Sequence, residues 1–313
     1  MTSLRFAAEW GTGPAYVISG WLAAALRQQD LIDGSMSIEL TRGTLDNLHL
    51  LGQAKADVAV TVPPLNARLA REGKGPFPTA YRDMQAIGKL PHHTLFTFIV
   101  SADLDVKSIE DIRTRRIPVR LGTRLEPYGS INFIATKILE HYGLTPRELE
   151  GWGGRIVSTP PAFGSLEKMV SGEANVILHQ AGEAIWSELA RRKAVRFLPL
   201  SQALVDTLTR DYYCTAGVIR KNQFEGVEDD VRCLHWTDLI ILASERLPVD
   251  VGAALAQAMI ERKAQIEDLL YTSAPGKYGH LTSRVRPDDV FTELAIPIHA
   301  GAARWARDQG YAH

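Results

Sequence analysis

The sequence predicts an α/β fold of two lobes, each a mixed sheet flanked by helices. Three observations carry this. Residues 4–61 alternate strand, helix, strand, helix, strand, the pattern of a sheet with parallel neighbours. A second alternation begins near residue 117. Of 313 residues, 45% are hydrophobic and 23% charged, which excludes a disordered, collagenous or coiled-coil chain. The length suits about two domains.

The elements follow in order. Leu4–Ala8 reads as a strand that stops at the turn cluster Gly11-Thr12-Gly13-Pro14. An Ala-rich apolar helix is expected over Tyr16–Gln29, broken by Gly34, then a strand over Met36–Leu40. Thr41-Arg42-Gly43-Thr44 is a loop, Leu45–Leu51 a short helix with Asn47, and Ala56–Thr61 a third strand. The prolines and glycines of Pro63–Pro78 predict an irregular path. Met84–Lys89 and Leu95–Val100 read as two strands around Pro91-His92-His93. Ser108 is placed to cap a helix over Ser108–Ile112.

The second alternation has strand Ile117–Leu121, loop Gly122–Tyr128, and helix Gly129–Tyr142 ended by Gly143. Helix Ser165–Ser171, strand Ala174–His179, helix Ala184–Ala190 and strand Val195–Leu198 complete it. Beyond Arg210 come strands Tyr212–Ile219 and Leu234–Ala243, a long helix Pro248–Asp268, and an amphipathic tail helix Ile298–Asp308. The expected division is lobe 1 over 1–95 plus 206–313 and lobe 2 over 96–205, with a ligand cleft between them.

Charge and composition narrow the function. With 35 basic and 36 acidic side chains the formal net charge is −1, which gives no electrostatic reason to expect nucleic acid or anionic lipid as partner. Apolar runs such as Leu95–Val100 fall far short of the ~18 residues of a spanning helix. The two cysteines, Cys214 and Cys233, are too few for a disulfide framework or a Cys-based zinc site; two buried thiols are favoured over a bridge. Met1-Thr2-Ser3 runs straight into the first strand, so the expected compartment is periplasmic if a signal peptide precedes this sequence and cytoplasmic if Met1 is the native start.

The order of several motifs resembles one family. Gly11-Thr12-Gly13 with Tyr16 is similar to its opening loop, and Thr41-Arg42-Gly43-Thr44 with Asn47 to its T-G-G-S-x-x-N stretch. Gly52-Gln53-Ala54-Lys55-Ala56-Asp57-Val58-Ala59 resembles G-E-A-D-L-A. Ile109-Glu110-Asp111-Ile112-Arg113 resembles I-x-D-L-K-G-K, and Ile138–Thr145 resembles I-L-E-A-Y-G-L. The tail Pro297–Trp305 is similar to P-L-H-P-G-A-I-R-Y-Y. In these stretches the chain resembles the TAXI family, solute receptors of one branch of the TRAP transporters. The resemblance implies a type II periplasmic-binding-protein fold, a small-molecule ligand and a TRAP-type membrane permease as partner. The chain departs from the pattern where Gly122-Thr123-Arg124-Leu125-Glu126-Pro127-Tyr128-Gly129-Ser130 replaces a small glycine-rich loop, and at Arg42, where the family often has Gly.

A clamp for a small carboxylate needs N–H donors at helix starts, hydroxyls, and an Arg for paired hydrogen bonds. The expected ligand residues are Gly11, Thr12, Gly13, Tyr16, Arg42, Thr44, Asn47, Arg124, Glu126, Tyr128, Ser130 and His179. His179 is included because it ends a strand, where α/β sheets present ligand groups. Each has a plainer role beside this one: turn, cap, solvated charge or packing. His92-His93 suits a structural role better than a metal, since neighbours on a strand point to opposite faces. His299 is expected to tie down the tail. No metal, cofactor or catalytic group is assigned, and G-x-S-x-G, P-loop and H-E-x-x-H motifs are absent.

The leading expectation is a solute-binding protein for a small organic anion, an amino acid or carboxylate, serving a transporter, with no membrane insertion of its own. Two alternatives stand beside it. One is a cytoplasmic enzyme on the same fold that decarboxylates, isomerises or dehydrates a small acid, using Arg124, Glu126, His179 and His92. The other is a metabolite-sensing module. Fold alone does not choose among them.

Overall fold

The structure, a computed structural model of the chain, describes residues 3–9, 13–28, 34–159, 162–271 and 281–311. The chain divides into unit 1, Met1–His93 with Thr237–His313, and unit 2, Thr94–Trp236. Residues 206–236, which the sequence reading assigns to the first lobe, lie in unit 2.

Unit 1 opens with β1 (Leu4–Glu9), α1 (Pro14–Gln28), β2 (Met36–Thr41), α2 (Thr44–Gly52) and β3 (Val58–Thr61). β1 runs parallel to both β2 and β3, with Leu4 opposite Met36 and Phe6 opposite Val58. Phe6, Val58 and Val60 are fully buried against Ile18 and Leu22 of α1 in one apolar core. The expected irregular stretch holds a helix, α3 (Leu65–Glu72), that the sequence reading misses. Pro64 stands at its N-cap, where a missing N–H costs nothing, and left-handed Gly73 ends it. The two strands expected around Pro91 are one, β4 (Met84–Ser101), along which the chain passes into unit 2.

In unit 2, α4 (Ile109–Thr114) starts at the expected Ser108, whose hydroxyl accepts from the Asp111 N–H while the Asp111 carboxylate accepts from the Ser108 N–H. β5 (Arg120–Thr123) begins three residues later than expected, and α5 (Asn132–Tyr142) starts beyond Gly129-Ser130. α6 (Pro146–Gly151) and β6 (Arg155–Ser158) were not foreseen, although Thr145-Pro146 with Glu148 is a capping box. α7 (Ala162–Val170), β7 (Val176–Ala181), α8 (Glu183–Arg192) and β8 (Val195–Leu198) follow the predicted order. α9 (Gln202–Tyr212), capped by Ser201, is a further unforeseen helix, and β9 (Thr215–Ile219) follows it. β5 is parallel to β6 and β7, whereas β4 is antiparallel to β7 and β8. The sheet of this unit is therefore mixed. Cys214 and Cys233 are buried free thiols, each pushed up to about 12 by burial.

β10 (Val231–Ser244) pairs antiparallel with β9 in unit 2, then with β3 in unit 1. The long helix expected after it is two, α10 (Val249–Glu261) and α11 (Lys263–Leu270), parted at Arg262. The final helix, α12 (Ala300–Asp308), is capped by His299, whose Nδ1 accepts from the Gly301 N–H at 3.1 Å. Its Nε2 lies 3.1 Å from the Leu247 carbonyl, so His299 does tie down the tail. Gly301 has no side chain to spare: a Cβ there would overlap the backbone of Val249 and Ala253 in α10. No helix among the described residues is long and apolar enough to cross a membrane.

Candidate functional site

Three parallel strands of unit 2 end along one edge. β5 stops at Thr123, β6 at Ser158 and β7 at Ala181, with Thr123 opposite Ser158 and Gly122 opposite Ile177. Each strand then leads towards a helix: α5, α7 or α8. Such an edge is where α/β sheets hold ligands, because strand-end side chains and helix starts converge there.

The polar side chains at this edge have few partners of their own. Thr123 Oγ1, Thr159 Oγ1, His179 Nε2, Gln180 Oε1 and Arg124 Nε are buried and make no hydrogen bond within the protein. Thr97 Oγ1, on the neighbouring strand directly opposite His179, is the same. Each such group costs about 1–3 kcal/mol when left unmatched, so folded chains rarely gather them without use for them. Strand alternation sets Thr97 and His179 on one face of the sheet and Gln180 on the other.

His179 is fully buried. Burial, with a smaller push from the Arg124 charge, lowers its pKa to about 4 against the pull of the Gln180 carbonyl and Glu126. The ring is neutral at neutral pH. Nδ1 lies 2.7 Å from the Gln180 carbonyl. A carbonyl only accepts, so Nδ1 carries the proton and Nε2 the lone pair.

Arg124 follows β5 directly, its side chain 22% exposed and its Nε 3.5 Å from Glu126 Oε2. Glu126 Oε1 in turn accepts from Ser158 Oγ at 3.0 Å. Asn132 Nδ2 donates to the Leu125 carbonyl at 2.7 Å, and the Gly129 N–H to the Glu126 carbonyl at 3.1 Å, which pins the loop carrying them. Tyr128 and Ser130 are half-buried turn residues of this loop. The structure thus brings Arg124, Glu126 and His179 together on one unit.

The residues expected in unit 1 fare differently. Gly11 and Thr12 lie outside the described residues. Gly13 precedes α1, and Tyr16 on α1 is 41% exposed. Arg42 is exposed and makes a two-point pair with Asp46, at 3.1 and 3.3 Å. Asn47 is buried and engaged: its Oδ1 accepts from Thr41 Oγ1 at 2.5 Å and its Nδ2 donates to the Val60 carbonyl at 3.0 Å. It holds α2 on β3. Thr44, at the first turn of α2, and Thr61, at the end of β3, are buried with hydroxyls unmatched within the protein.

Sequence reasoning passed over Thr97, Thr123, Thr159 and Gln180. A hydroxyl or amide at the last positions of a strand, just before a strand–loop–helix turn, is the signal that finds three of them; Thr97, in mid-strand, shows itself only through pairing with His179. Among the described residues no group of three or more His, Cys, Asp or Glu is arranged to hold a metal.

Comparison with known proteins gives the family and the fold. The model of the NMT1-like family matches residues 7–310. The Xanthomonas citri protein XAC2383, in a structure bound to chloride ion, is similar over 98% of this chain and 99% of its own, at 10% identity and a TM-score of 0.55. A Bordetella bronchiseptica RB50 protein covers 99% and 98% at 14% identity and a TM-score of 0.51. The periplasmic binding protein BugD covers 97% and 93% at 13% identity and a TM-score of 0.50. A search of curated proteins finds no match. The fold is that of periplasmic solute-binding proteins.

Proposed function

The chain belongs to the NMT1-like family, and from that family and its fold we propose that it binds a small organic anion, an amino acid or carboxylate, for a membrane transporter. The observation that carries this is the set of buried, unmatched polar groups beside Arg124 at the strand ends of unit 2. Arg124 supplies the charge and the paired donors that suit a carboxylate. Thr123 and Thr159 add hydroxyl donors. The motif order shared with TAXI receptors favours a TRAP-type permease as the partner and a periplasmic place of work. Glu126, Tyr128 and Ser130 shape the loop that presents Arg124, while in unit 1 Thr44 and Thr61 are buried with hydroxyls that have no partner in the protein, and Gly13 and Tyr16 stay candidates beside them. Arg42 and Asn47 are held by Asp46, Thr41 and Val60, which favours structural roles for both. Calorimetric titration with a set of small carboxylates, amino acids and sulfonates tests the reading. Saturable one-to-one binding of a carboxylate supports it; no binding by any of them refutes it.

A further inference from the structure

The groups at the unit 2 edge differ in hydrogen-bonding sense. Arg124 can only donate, and Thr159 and Thr97 can do either. His179 is the exception. Its Nδ1 proton is committed to the Gln180 carbonyl at 2.7 Å, which leaves Nε2 as an acceptor only. That atom is fully buried and has no donor within the protein. Beside it, Thr97 is directly opposite in the sheet register, and the guanidinium of Arg124 is near enough for its charge to act on the ring. A nearby cation and complete burial both oppose protonation, so the unliganded ring presents Nε2 as an acceptor.

We infer that the solute carries an N–H or O–H that donates to His179 Nε2, next to the acidic group that Arg124 receives. This rests on the solute-binding reading above and narrows it. The solute class is the hydroxy acids and amino acids; simple carboxylates, sulfonates and halides lack the donor. A donor-bearing solute gains a hydrogen bond at this nitrogen, which has none within the protein, and an analogue without the donor gains nothing there.

Matched pairs of acids test this by calorimetry on the full chain: malate against succinate, lactate against propionate, glutamate against glutarate. The donor-bearing member of the best-bound pair should bind about tenfold or more tightly than its partner. His179→Leu should bring the pair to within about twofold by weakening the donor-bearing acid, and His179→Gln, which keeps an acceptor oxygen, should retain part of the preference. Nitrogen NMR of the wild-type protein gives a readout independent of either variant's folding: the His179 ring should be the neutral Nδ1–H form, with Nε2 shifted by hydrogen bonding when the acid is added. Equal binding within every pair, or a protonated Nε2, overturns the inference and leaves solute binding standing. If no acid binds, both fall.

Discussion

Acid should unfold unit 2 through His179. A solvated imidazole titrates near 6.5; burial first, and the Arg124 charge after it, hold this ring at about 4. The folded protein therefore binds fewer protons than the unfolded chain between those values. Stability is full above about pH 6.5 and drains as pH falls towards 4. With a displacement of about 2.5 units, the one ring removes about 2 kcal/mol by roughly pH 5 and about 3 kcal/mol by roughly pH 4. His49 and His299 are also lowered, both chiefly by burial, and will add to the slope. The difference between wild type and His179→Gln removes their share. Urea unfolding of the two proteins from about pH 7 to about pH 4.5 measures it. The wild type should lose more stability than the variant, by about 2 kcal/mol. Parallel curves would refute the claim that this imidazole is held neutral by burial.

Three further outcomes are expected. Arg124→Gln should weaken binding of the carboxylate by about 2–4 kcal/mol, read by calorimetry; unchanged affinity takes Arg124 out of the site. Glu267 is buried in unit 1, where its carboxylate accepts from the Val285 N–H at 2.7 Å and from Arg284 at 2.8 Å. Burial works against its charge, but these hydrogen bonds and Lys263 hold its pKa below the ordinary glutamate value. Glu267→Gln should then cost about 1–3 kcal/mol at neutral pH in urea unfolding, and the deficit should shrink as pH falls below about 4.5; a variant as stable as wild type contradicts this. Cys214 and Cys233, buried and raised to about 12, should react with a thiol reagent only as fast as the protein opens. Prompt labelling of the native protein would show that one of them is exposed.

Local signals made much of this fold readable. Ser108 and Gly143 mark a helix start and a helix end in the sequence and do so in the structure. Val195–Leu198 is a strand in both. Where sequence and structure differ, the effect of a proline or glycine depends on its position in the element. Pro64 opens α3 rather than preventing it, and Pro91 sits inside β4, where the strand runs on through it. Arg262 parts α10 from α11 with neither proline nor glycine to announce the break. At the site, position along a strand points to His179, which the structure places near the end of β7 and fully buried. Charge alone points to Arg42 as an anion contact; that Asp46 in the first turn of α2 pairs with it is seen only in the structure. The tautomer of His179 could not be read at all, since it depends on the local geometry that sets the Gln180 carbonyl against Nδ1.

Native mass spectrometry of the protein as purified tests the central claim most directly, since a buried polar site tends to keep its solute through purification. One small organic acid per chain, released on unfolding and lost in Arg124→Gln, is the expected result. A bare polypeptide that also fails to gain mass when incubated with the carboxylates and amino acids of the calorimetric set would contradict it.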